Sequence, residues 1–191
     1  VNEVSRYFNS TTLEICEGQA LDKEFENDLS ITEEMYMDMV EKKTGALLGA
    51  SAVLPAIYNC ETTKTLESYE QYGRCLGIGF QIHDDLLEVT ADKETMGKSL
   101  GSDIAEGKQT IMAIKAREKF PDQWNKLIAN PNNPESFTNI CMFFKETGII
   151  EETRSIASSY FNSSLEYLEN LDGINTNELT QLVELIEKRT Y

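Results

Sequence analysis

The chain has 191 residues, 40% of them hydrophobic and 26% charged, which is enough for one domain with a real core and unlike a disordered or fibrous composition. Thirty-three acidic residues against seventeen basic ones leave a net charge of −16, a surface that repels nucleic-acid phosphodiesters and anionic membrane leaflets. An anionic small molecule can bind such a chain only where metal ions or a few focused lysines neutralise it. Cys16, Cys60, Cys75 and Cys141 form no C-x-x-C pair and have no histidine cluster beside them, so they read as reduced packing residues rather than zinc ligands. No apolar run long enough to span a membrane, leader or lipidation motif is present, and the chain reads as cytoplasmic.

Strand-like alternation and hairpin dipeptides are nearly absent, whereas apolar residues recur at helical spacing almost throughout. This predicts an all-α fold and a single helical domain over 1–191. Residues 1–28 read as one helical stretch with a candidate break at Gly18. Thr32, Glu33 and Glu34 open a second helix running towards Gly45 or Gly49, and Pro55 and the polar patch at 59–63 punctuate the stretch beyond it. From 66 to 89 the helical pattern is continuous, and its small residues Gly77 and Gly79 permit close contact, as expected of a central buried helix. Residues 91–102, with Gly97 and Gly101, read as a long and therefore functional loop. Asp103 and Glu106 have capping-box spacing, which predicts a helix from there to Lys119, ended by Phe120 and Pro121. After a turn at 130–134, helices at 135–147, 149–171 and 176–189 are separated by Gly148 and by Asp172-Gly173 and read as scaffold. In them Tyr160, Phe161 and Tyr167 are core positions.

Chemistry concentrates between Phe80 and Glu88. On a helix Asp84 and Glu88 share a face, with Asp85 rotated to one side, so the carboxylates gather near the helix end and repel one another. Such a cluster is costly in a half-buried setting unless cations compensate it. Magnesium is the natural compensator, because it takes hard oxygen ligands and binds through one or two carboxylates together with substrate phosphates. Lys98 in the downstream loop, Lys108 in the first turns of the next helix and Lys43 are the point charges for those phosphates. A solvated acidic face is the rival reading of this spacing. The apolar run from Cys75 to Ile82 favours carboxylates that emerge from a buried helix. His83, the sole histidine, reads as an incidental neighbour.

Taken in order, these pieces resemble the trans-prenyl diphosphate synthases. That family's second aspartate-rich motif runs Gly-x-x-Phe-Gln-x-x-Asp-Asp-x-x-Asp, and Gly77, Phe80, Gln81, Asp84 and Asp85 match it, with Glu88 in place of the last aspartate. Gly97-Lys98, Gly101-Ser102-Asp103 and Glu106-Gly107-Lys108 with Thr110 follow its downstream pattern. Lys43-Thr44-Gly45 matches its upstream Lys-Thr motif, and Gly18-Gln19 with Asp22 matches the helix before that. The resemblance implies a helical fold around a central cavity, with magnesium held by Asp84, Asp85 and Glu88. It implies an allylic diphosphate held by Lys43, Thr44, Gln81, Lys98 and Lys108, with Lys43 and Lys98 in the catalytic role and Asp103 orienting Lys98 or a metal-bound water. The implied reaction ionises the allylic diphosphate, joins the cation to isopentenyl diphosphate and loses a proton, in a protein that is typically a homodimer.

The family's first aspartate-rich motif, its following Arg-Arg and its N-terminal Gly-Lys-x-Arg region are not found before Lys43. The chain is therefore expected to be the C-terminal portion of a longer enzyme and inactive alone. A non-catalytic partner subunit that tunes a full-length synthase is the alternative, and a helical terpene cyclase is a third reading disfavoured by the Phe-Gln-x-x-Asp-Asp and Gly-Lys motifs.

Overall fold

One long helix organises everything else. The computed structural model describes residues 2–90, 107–129, 136–171 and 173–190, and in it α4 (Thr63–Thr90) lies between two helices that run along it. Tyr72, Leu76, Ile82 and Leu86 of α4 are no more than 3% exposed, so this helix is apolar on more than one side, as a core helix must be.

Before it come α1 (Asn2–Glu24), α2 (Glu33–Val40), a π-helical turn (Glu41–Gly45) and α3 (Ala46–Tyr58). After it come α5 (Ile111–Lys119), α6 (Pro121–Ile128), α7 (Ser136–Glu146), α8 (Ile149–Glu169) and α9 (Asn177–Glu187). Helices α3 and α8 flank α4, and α1 packs on α3 and the π-turn. No strand occurs among the described residues. None of their helices is long and apolar enough to cross a membrane.

The all-α expectation holds, and several boundaries move. Gly18 does not break α1, because it sits where another backbone arrives: a Cβ there would meet Lys43 N at 2.3 Å. The second helix starts where expected, with the Thr32 hydroxyl accepting from Met35 N at 3.2 Å and two glutamates in its first turn. It does not stop at Gly45 or Gly49. It passes through the π-turn into α3, and Pro55 lies inside the last turns of that helix rather than ending it.

Residues 107–110 are not helical, so Lys108 precedes α5 instead of riding on its first turns. The helix opens at Ile111, capped by the Thr110 hydroxyl, which accepts from Ala113 N at 3.3 Å. The Asp103–Glu106 capping box and the loop glycines Gly97 and Gly101 lie outside the described residues. Pro121 ends one helix and starts another, as its fixed φ at the first helical position allows. Helix α6 is anchored by Trp124, whose ring stacks on Phe144 of α7 at 5.6 Å between centroids.

Lys115 is a second, polar clamp. It is 5% exposed, and its ammonium donates to Glu33 Oε2 at 2.7 Å and lies 3.1 Å from Glu152, joining α5 to the start of α2 and to α8. Phe161 is fully buried, while Tyr160 and Tyr167 are half-buried against the same core.

The expectation that all four cysteines are packing residues fails at two of them. Cys16 and Cys60 are exposed, whereas burial, with Glu41 nearby, pushes the Cys75 thiol up to about 11. Since the thiolate is the reactive form, native protein at pH 8 is expected to lose Cys16 and Cys60 to iodoacetamide within minutes, with Cys75 reacting only after denaturant is added. Peptide mass mapping of the alkylated sites checks this.

Candidate functional site

Two close approaches build the site. Gly18 of α1 lets the π-turn come near enough that Asp22, one helical turn further on, accepts from Lys43 Nζ at 2.6 Å. On the opposite side, a Cβ at Gly77 of α4 would meet Gly45 Cα at 2.8 Å and Thr44 O at 3.0 Å. Gln81, again one turn further on, accepts from the Thr44 hydroxyl at 3.1 Å. The π-turn is thus held between two helices, and it presents Lys43 to one and Thr44 to the other. Such turns interrupt α-helices at functional sites more often than elsewhere.

A cleft opens where these elements meet, lined by Asp22, Lys43, Gln81, Asp85 and Lys108 among others. The segment carrying Lys108 is stapled from below. Asn27, in the left-handed conformation at φ 62°, donates its N–H to Gly107 O at 2.9 Å. The Gln109 side chain also donates to Gly107 O, and Arg117 donates both to Gln109 Oε1 at 2.6 Å and to Ile31 O.

Lys43, Thr44, Gln81, Asp85 and Lys108 therefore come together. Lys98 and Asp103 lie outside the described residues. Asp84 and Asp85, adjacent in sequence, face different surroundings. Asp84 is exposed and takes a hydrogen bond from the Arg189 guanidinium, which also rests 4.9 Å from the centre of the Phe80 ring. His83 donates from Nε2 to Arg189 O at 2.9 Å, so the sole histidine anchors the segment after α9. Asp85 is 4% exposed. Tyr36 donates to its Oδ2 at 2.8 Å and Gln81 to its Oδ1 at 3.0 Å. Glu88, half-buried, lies one turn beyond Asp84.

The three carboxylates expected to share a metal are thus not gathered at one point. Among the described residues no group of three histidine, cysteine or acidic side chains is close enough to hold an ion. Asp84 and Glu88, four apart on α4, keep the spacing of a shared face. A cation, the Arg189 guanidinium, already sits on the first of them. Two carboxylates completed by water and phosphate oxygens fit magnesium, and so does a carboxylate that recruits a positive partner.

Tyr36, Asn27, Gln109 and Arg117 do not stand out in the sequence. Tyr36 carries a usable signal: with Val40 and Lys43 it follows i, i+4, i+7 spacing, which puts an aromatic residue on the same side as the motif lysine.

The sequence profile of the polyprenyl synthetase family matches residues 2–142. The chain belongs to that family. Polyprenyl synthetases similar to it include the short chain isoprenyl diphosphate synthase of Methanothermobacter thermautotrophicus, 36% identical over 100% of this chain and 60% of the relative. The geranylgeranyl diphosphate synthase of Methanosarcina mazei is 37% identical over 96% of this chain and 56% of its own. Among solved structures, the geranylgeranyl pyrophosphate synthetase of Pyrococcus horikoshii superposes with a TM-score of 0.86 at 30% identity, covering 98% of this chain and 59% of the other. The chain thus spans about 60% of the length of these polyprenyl synthetases.

Proposed function

We propose that the chain carries the allylic-diphosphate and metal half of a prenyltransferase site, for head-to-tail condensation of isopentenyl diphosphate with an allylic diphosphate. The observation that carries this reading is the convergence of Lys43, Gln81 and Lys108 on one cleft beside the acidic end of α4, with Thr44 bonded to Gln81. Lys43 and Lys108 supply positive charge to the phosphates in a chain that is otherwise strongly acidic, so the cleft is selective for an anion delivered with cations. Asp84 and Glu88 are the carboxylates that would hold magnesium. Asp85 contributes from inside the fold, and Lys98 and Asp103 join from the downstream segment. When bound, magnesium neutralises the departing pyrophosphate. The lysines orient the diphosphate and hold it as charge develops on the leaving oxygen, an electrostatic contribution that needs no protein nucleophile. The exposed Phe8 and Leu13 on α1 support pairing with a second copy.

Calorimetric titration with a non-reactive allylic thiolodiphosphate tests the reading. Binding is expected only with magnesium present, and at least about ten-fold weaker in Asp84→Ala, the size of one charge-assisted interaction. Absence of magnesium-dependent binding by the unsubstituted chain would overturn the proposal.

A further inference from the structure

Asp85 is a buried carboxylate beside a cleft that needs positive charge. It lines the same cleft as Lys108 and as Lys43, which already donates to Asp22, and a further carboxylate free to turn towards either lysine would add to the competition with any diphosphate. Its side chain is not free to turn. The Tyr36 hydroxyl, on a residue 2% exposed, donates to one oxygen, and the Gln81 amide donates to the other.

This arrangement also sets proton directions further along. A carboxylate only accepts, so Gln81 must present Nε2 to Asp85 and Oε1 to Thr44. Thr44 must then donate its hydroxyl proton to Gln81.

We propose that Tyr36 is a positioning residue for the diphosphate site, which acts through Asp85 by keeping that carboxylate off the lysines and by fixing the orientation of Gln81 and Thr44. The proposal rests on the reading of the cleft as a diphosphate site. Tyr36 lines the same cleft, with its hydroxyl engaged by Asp85. Its hydroxyl reaches across from α2 to α4, 49 residues away in sequence, and removing it leaves the ring's packing intact.

The test is magnesium-dependent binding of inorganic pyrophosphate, by calorimetry, to the chain and to Y36F, D85N and the double variant. Thermal melts of each are recorded alongside. Y36F is expected to bind pyrophosphate roughly ten-fold more weakly, the size of one hydrogen bond to a charged group, with a melting temperature close to that of the unsubstituted chain. In the D85N background, where the Asp85 charge is gone, adding Y36F should leave affinity unchanged within about two-fold, whereas independent sites would show the ten-fold loss again. The side-chain amide resonance of Gln81, assigned by nitrogen-labelled NMR, should shift in Y36F without pyrophosphate. A merely structural tyrosine would lower the melting temperature and leave affinity and the Gln81 resonance in place, and that result overturns the proposal. Equal affinity of Y36F and the unsubstituted chain overturns it too. A chain that binds no pyrophosphate with magnesium instead overturns the diphosphate reading itself, and the proposal falls with it.

Discussion

Gly18→Val is expected to destabilise the protein by about 3 kcal/mol or more, the upper range for overpacking a filled interface. In a chain of this length that lowers the melting temperature by roughly 6–12 °C. Within a helix, replacing glycine by a residue with a Cβ ordinarily restores some stability, about 0.5–1 kcal/mol in the case of alanine. Here the sign reverses, because the new atom would fall 2.3 Å from Lys43 N and 2.7 Å from Lys43 Cα, which are backbone atoms that no rotamer change can move aside. Gly148 is the control. It has φ +75° and nothing within 4 Å, so Gly148→Ala carries only the left-handed backbone cost of about 1–2 kcal/mol. Urea denaturation of both variants separates a packing clash from conformational strain.

Lys43→Met is expected to weaken magnesium-dependent binding of the allylic thiolodiphosphate about 100-fold, the upper end for removing a charge-assisted hydrogen bond from a desolvated site. The same substitution removes the partner of Asp22, which is 8% exposed, and so costs about 2 kcal/mol of stability, less than a fully buried pair because Lys43 retains some solvent. The two effects separate in Asp22→Asn/Lys43→Met. Restoring neutrality should recover most of the stability and none of the affinity. Equal recovery of both in denaturation and calorimetry would mean that Lys43 is a structural cation and that the anion is held elsewhere.

The helices are legible where pattern and chemistry agree. Thr32 with two following glutamates marks the start of α2, and Gly148 marks the gap before α8. The apolar, glycine-containing run through Gly77 marks α4 as central. The boundaries that fail do so for tertiary reasons. Gly18 reads as a helix breaker in isolation, yet it is tolerated because the contact it admits outweighs its backbone entropy. Pro55 and Gly45 read as punctuation, but they fall within a helix that continues because its neighbours hold it. Helix α6 escapes the sequence pattern because its eight residues owe their place to Trp124 stacking on Phe144, a contact between separate elements. In the site, residue types and order identify Lys43, Thr44, Gln81 and the acidic run. Helical spacing cannot show that neighbouring aspartates part company, Asp84 towards Arg189 and Asp85 towards Tyr36. That division depends on α2 crossing α4, which no local pattern contains.

The π-turn makes the number of residues between Thr32 and Thr44 a fixed property of the cleft. It carries one residue more than an α-helix would need over the same span, so deleting one residue, Lys42 for instance, would restore a plain helix through 33–58. The helices on either side keep their phase, because the π-turn takes up its extra residue within a single turn, so Tyr36, Met39 and Val40 would stay on the cleft floor and α3 on α4. What would change is the turn itself: without the extra residue Lys43 and Thr44 lose the offset that lets one reach Asp22 and the other Gln81. A deletion at this point would dismantle the lysine–threonine pair while leaving the helices around it in place.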